Sequence, residues 1–211
     1  NGLIENMRRM GHSPKDVEAI VLSHGHFDHT TGLDGVARAL GRANLPVIIH
    51  PEFWGKRRVV IPGREPFELP STSRAALIGA GFDIIEERQP SFLLDHSLLV
   101  TGEVDRTTPF EKGFPVHQVL RDGQWQPDPL ILDDQAQRLT GVQRVYAVIG
   151  GFHLGGPLFE PTIPEVCAAL AEVAPEVIVP AHCTGWRATH TLALTFPDAC
   201  IPNSVGTRFE L

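Results

Sequence analysis

The stretch His24-Gly25-His26-Phe27-Asp28-His29 limits what this chain can fold into more than any other. It follows an apolar run, Ala19-Ile20-Val21-Leu22, and precedes Thr30-Thr31-Gly32. Three imidazoles and a carboxylate fall within six positions. Imidazole is the commonest protein ligand for borderline divalent metals, and carboxylate is its usual harder companion. On an extended backbone side chains repeat with period two, so His24 and His26 point the same way and can grip one metal ion. Asp28 and His29 follow as the chain turns toward a helix, and they can reach a second ion. Two metal ions roughly 3.5–4 Å apart polarise a water and clamp a substrate oxygen. Asp28 is also placed to hold that water as a general base. A lone histidine is more often a packed or surface residue, but four donors in this order are not what chance supplies.

The rest of the chain reads as strands and helices that keep returning to histidine-bearing strand ends. An apolar strand over 18–23 leads into the hexad. A second, over 46–49, ends at His50. A third, over 144–149, ends at Gly150-Gly151-Phe152-His153, and a fourth, over 176–179, ends at Pro180-Ala181-His182-Cys183-Thr184-Gly185. Residues at strand ends are held by a rigid scaffold yet exposed, so His153 and His182 join the candidate metal ligands. His50 has two readings, a cap for a turn starting at Pro51 or a substrate contact. Residues 52–58 read as a helical or tight turn ending in Lys56-Arg57-Arg58, with a strand over 59–61 after it. Arg57 and Arg58 are either a solvated basic patch or an anchor for a phosphate or carboxylate, which the guanidinium fork suits.

Helices are expected over 2–10, 31–40, 73–79 and 162–173, with a final one following Gly185 to about 194. Ser13-Pro14 starts a turn, and Thr162-Ile163-Pro164-Glu165 reads as a capping box. Strands are expected over 82–85, 92–94 and 97–100, with Asp95-His96 as the turn between the last two. Residues 105–129 read as a long loop or lid containing His117. Phe110, Phe114 and Trp125 there either wall a pocket or cover the core.

At 211 residues with 42% hydrophobic content, the chain suits one domain with a real core. A net charge of −7 argues against nucleic acid and anionic membrane as partners. It leaves room for a small anionic substrate, because a metal site brings its own positive charge. Cys167, Cys183 and Cys200 are odd in number and lack C-x-x-C spacing, which points to a reducing, cytoplasmic setting without disulfides. No apolar run approaches a membrane span and no signal peptide is visible, while a first residue of Asn rather than Met reads as a trimmed start.

The hexad resembles the signature of the metallo-β-lactamase superfamily. Leu22-Ser23-His24-Gly25-His26, His50-Pro51-Glu52, Thr101-Gly102-Glu103-Val104, Gly150-Gly151-Phe152-His153-Leu154 and Pro180-Ala181-His182-Cys183-Thr184-Gly185 resemble its dihydropterin–ribofuranosylaminobenzene-phosphate synthase-like branch. The resemblance implies an α/β fold, a four-layer αβ/βα sandwich, as a single domain over 1–211 that is incomplete in this chain. It implies two divalent ions, zinc first with manganese or iron as alternatives. His24, His26 and His153 would serve one, and Asp28, His29 and His182 the other. The implied default activity is hydrolysis of a small ester, lactone or phosphate-bearing molecule. A pterin- or aminobenzene-phosphate-related synthase is the alternative, and a degenerate metal- or partner-binding module is the reading from a different class. Proteins of this kind usually carry a further segment, with a Gly-Cys-x-His turn whose histidine completes the first metal site. Residues 132–141 are too short to hold it, so a missing segment is expected near 136/137. The usual first strands, with their aspartate-containing turn, are expected ahead of residue 1.

Overall fold

Val47, Ile48 and Ile49 are 0–4% exposed, which requires a strand covered on both faces. They belong to β2 (Pro46–Ile49), the centre of a three-stranded parallel sheet flanked by β1 (Ile20–Val21) and β5 (Asp83–Glu86). The register pairs Val21 with Ile48, and Ile49 with Glu86. The computed structural model describes residues 2–93, 95–96, 98–103, 106, 108–129 and 144–209. They fall in two compact units, Asn1–Ala136 and Gln137–Leu211.

In the first unit, α1 (Gly2–Arg9) ends where expected. Gly11 takes a φ of 78°, while His12 N–H donates to the Met7 carbonyl and Gly11 N–H to that of Arg8. That left-handed stop satisfies carbonyls the helix would otherwise leave open. Ser13 caps the 3-10 turn Pro14–Asp16 as expected. The single-turn helix α2 (Phe27–Thr30) carries Asp28 and His29, and α3 (Leu33–Leu40) follows it. Leu33, Val36, Phe53, Leu77 and Phe82 form the core with β2, the last two delivered by and just after α4 (Arg74–Gly79).

A second, antiparallel sheet in this unit corrects two expectations. Residues 57–59, not 59–61, form β3 (Arg57–Val59), preceded by the 3-10 turn Pro51–Trp54. β3 is flanked by β4 (Phe67–Glu68) and by β8 (His117–Arg121), which pairs onward with β9 (Gln124–Pro127). β6 (Ser91–Leu93) and β7 (Leu98–Val100) form a separate hairpin around Asp95-His96, as expected. The stretch read as a loop or lid over 105–129 thus contains a β-hairpin. Its turn is Asp122-Gly123, with φ of 50° and 75°. Positive φ at both central positions is the twist that matches flanking strands.

In the second unit, β10 (Ala147–Gly150) and β11 (Val177–Pro180) pair in parallel, with Gly150 opposite Pro180. α5 (Ile163–Val173) and α6 (Trp186–Thr195) cover them, burying Leu154, Cys167, Leu170, Ile178, Ala188 and Leu192. The capping box expected at Thr162 does not form. A preceding 3-10 turn, Glu160–Thr162, puts Thr162 in helical geometry, and its hydroxyl donates back to the Phe159 carbonyl. The missing segment expected near 136/137 lies outside the described residues.

Candidate metal centre

β1 and β2 run parallel, so their C-terminal ends share one edge of the sheet. The chain leaves β1 into the hexad and leaves β2 into His50. Sites in open parallel sheets form at that edge. Here the Nε2 of His24 and the Nδ1 of His26 converge to 3.1 Å. Two nitrogens on one tetrahedral zinc, each about 2.0–2.1 Å from it, are separated by roughly 3.3–3.4 Å. The pair is therefore close to the spacing a shared ion requires. Ser23 Oγ sits 2.9 Å from His24 Nδ1 and fixes the ring from behind, the support metal-binding imidazoles usually have. The His29 ring lies 4.3 Å from that of His24, and its Nε2 is 3.6 Å from Asp28 Oδ2. A nitrogen and an oxygen donor thus stand side by side on α2. These donor types and spacings fit divalent metal.

A cavity of about 70 Å³ opens beside the first pair. Its wall includes His24, His26, His50, Arg57, Arg121 and Asp128. His50 caps the Pro51–Trp54 turn: its Nδ1 accepts from Glu52 N–H, and its Nε2 is 3.1 Å from Glu103 Oε2. Arg88 also binds Glu103 and reaches Glu52, which Arg121 contacts at 2.8 Å. Arg121 first, opposed by burial and then helped by Arg88, holds the Glu52 carboxyl below the usual carboxylate range. Arg88, then His50, do the same for Glu103. These acids are anions in a chain of alternating charge.

Of the three residues read as substrate contacts, His50 and Arg57 line this cavity and Arg58 does not. Strand alternation sends Arg58 to the other face, where its guanidinium lies 4.3 Å from the Trp125 ring and its Nε donates to Gln118. His117, read as a lid residue, is 1% exposed, with its ring 5.0 Å from His26 and 4.7 Å from Phe114. Asp128 in the cavity wall and His117 against the His26 ring are neighbours of the hexad that the sequence reading missed. The Asp122-Gly123 dipeptide was the signal that could have found them, since it is a strong hairpin mark.

In the second unit, His153 and His182 follow adjacent parallel strands, and both take left-handed backbone, with φ of 50° and 46°. Thr184 ties the two strand ends together. Its hydroxyl donates to the Ala181 carbonyl at 2.7 Å and accepts from Phe152 N–H at 3.1 Å. Gly185 has to lack a side chain, because a Cβ there would stand 2.8 Å from Gly155 Cα at a φ of 80°. The His153 ring packs edge-on to Phe159 at 4.7 Å. Cys167 is buried, and all three cysteines are free thiols. Burial raises the pKa of Cys167 and Cys200.

A parallel-sheet edge carrying clustered imidazole and carboxylate donors places the chain among mixed α/β proteins with a donor set suited to divalent metal. The metallo-β-lactamase superfamily model matches residues 2–119, more than half of the chain, and the chain belongs to that superfamily. It is 26% identical to a 7,8-dihydropterin-6-methyl-4-(β-D-ribofuranosyl)-aminobenzene-5'-phosphate synthase of Methanocaldococcus jannaschii, covering 93% of this chain and 76% of that protein. That alignment runs over 231 positions and so includes positions of the relative with no counterpart here. An uncharacterised protein of the same organism is 26% identical over 90% of this chain and 78% of its own length. The solved structure of a metal-dependent hydrolase of the β-lactamase superfamily superposes with a TM-score of 0.73 at 21% identity, covering 99% of this chain and 84% of that one. The expected α/β fold of this superfamily is thereby found.

Proposed function

We propose that this protein is a metal-dependent hydrolase acting on a small ester, lactone or phosphate-bearing molecule. The observation that carries the reading is the convergence of His24 Nε2 and His26 Nδ1 at a parallel-sheet edge, with Asp28 and His29 one turn on. His24 and His26 hold one divalent ion, zinc in the first instance, and Asp28 with His29 contribute to a second. His153 and His182 are kept as further donors on the strength of their strand-end positions. Bound divalent ions supply Lewis acidity, making water nucleophilic near neutral pH and drawing charge from a carbonyl or phosphoryl oxygen. Asp28 orients the attacking water and accepts its proton at a carboxylate oxygen. Ser23 keeps the His24 ring in register. Arg57 and Arg121 put guanidinium groups in the cavity wall, with Asp128 and Glu52 balancing their charge. Three free thiols suit a reducing compartment such as the cytoplasm. None of the described helices is long and apolar enough to cross a membrane.

The synthase named for the archaeal relative supports a second reading, chemistry on a pterin- or aminobenzene-phosphate-bearing substrate. One experiment separates the readings. Metal content is measured on the purified protein, followed by turnover of ester, lactone, phosphate and pterin-phosphate panels with and without chelator. About two equivalents of metal with chelator-sensitive hydrolysis supports the hydrolase. Product only from the pterin-phosphate panel supports the synthase. A protein with no tightly held metal and no turnover sinks both.

A further inference from the structure

Arg57 is a cation set beside a loop that is read here as a cation site, and that needs a reason. Its side chain is 10% exposed, as is that of Asp128, 71 residues away, whose Oδ2 accepts from Arg57 Nε at 2.8 Å. Its Nη2 donates to the Glu52 carbonyl at 3.0 Å. Its Nη1 faces the backbone between the two histidines, lying 3.5 Å from where a Cβ on Gly25 would stand. One planar guanidinium thus bonds the 3-10 turn after β2 and the end of the β8–β9 hairpin, and it lines the same cavity as Gly25. Few side chains can do this, because it takes several donors fixed in one plane.

The same hairpin carries His117, whose carbonyl accepts from Asp128 N–H at 3.0 Å and whose ring meets His26. Val59 of β3 pairs with His117, so Arg57 and His117 belong to one sheet. A buried ion pair is weak evidence for stability, since removing charges from water offsets most of their attraction. Its geometry here favours another use. Asp128 cancels the Arg57 charge that would otherwise repel a metal ion, while the guanidinium ties the Pro51–Trp54 turn, on which Gly25 rests, to the hairpin.

We infer that the Arg57–Asp128 pair is a positioning device for the His24/His26 metal site, and that metal affinity there depends on it. The inference rests on the metal reading of the previous subsection. The test is zinc affinity of the full chain, by competition with a chromophoric chelator, for wild type, Arg57→Lys and the double variant R57M/D128L. Circular dichroism and thermal melts of the metal-free proteins are recorded alongside. Lysine keeps the charge but not the planar fork that bonds Asp128 and the Glu52 carbonyl together. The double variant removes both charges and leaves no unpaired one, so a purely structural pair would be replaced at little cost to the fold. The expected result is zinc binding weakened about 10–100-fold in both, the usual effect of losing support behind metal ligands. Folded variants with wild-type affinity overturn the inference and leave the metal reading intact. A wild-type chain that binds no zinc overturns both.

Discussion

A Cβ added at Gly25 would stand 2.6 Å from the carbonyl oxygen of Phe53. Real Cβ atoms do not approach a backbone oxygen so closely, and a carbonyl in a 3-10 turn held by His50 and Arg57 has little room to retreat. The glycine between the two histidines is there so that the turn can lie flat on its neighbour. Gly25→Ala should therefore displace the histidines. We expect a stability loss of about 1–3 kcal/mol, the common cost of overpacking. We also expect weaker zinc binding, read by chelator competition. An alanine variant with unchanged melting and zinc affinity would show that the turn can shift freely.

His24→Ala and His26→Ala should each remove metal from the site they share. The two nitrogens stand 3.1 Å apart, and neither alone makes a chelate. Elemental analysis after dialysis should show the metal content of each variant reduced relative to wild type. Full retention in either variant would move the ion elsewhere.

Asp28→Ala should lower kcat on any substrate the wild type turns over. A positioned general base is worth about 10²–10⁴-fold. Steady-state kinetics check this, with metal content measured on the same sample, because Asp28 also stands beside His29 at 3.6 Å. A variant with normal metal content and normal kcat would take Asp28 out of the reaction.

Acid should weaken the wall of the cavity. Arg121 and Arg88 lower the pKa of Glu52, and Arg88 with His50 lowers that of Glu103. Because these folded values lie below the unfolded ones, the stabilisation is fully present above the unfolded carboxylate pKa of roughly 4.3 and is lost as pH falls through the lower folded values. Thermal melts of the metal-free protein should fall as pH drops below about 4.3, and Arg88→Met should shrink that fall. Salt should weaken the effect too, since Glu52, Glu103, Arg88 and Arg121 are exposed enough to be screened.

Thr184→Val should destabilise the second unit. The hydroxyl is buried and bonds both Ala181 and Phe152, so valine leaves the Phe152 N–H without its acceptor, while the Ala181 carbonyl keeps the Thr184 N–H. The expected cost is about 1–3 kcal/mol in denaturant unfolding. Thr184→Ser, which keeps the hydroxyl, should lose less. A valine variant as stable as wild type would mean that the hydrogen bonds do not hold the strand ends.

What could be read from the sequence was what neighbours along the chain determine. The hexad, the Ser13 cap, the Gly11 stop and the buried run at 46–49 are written in short-range order: period, cap chemistry and glycine placement. His50 ended at a strand terminus for the same reason. Other features were decided by tertiary structure. The span over 105–129 looked like loop because its strands are short and mostly polar, and only pairing of β8 with β3 makes them strands. Arg57 and Arg58 are adjacent and chemically alike, yet pleating buries one in the cavity wall and lays the other on Trp125. Asp128 reaches Arg57 across 71 residues, and His117 reaches His26 through the same hairpin. Local preference carries no information about such partners, because an ion pair or ring contact between distant residues exists only once the sheets bring them together.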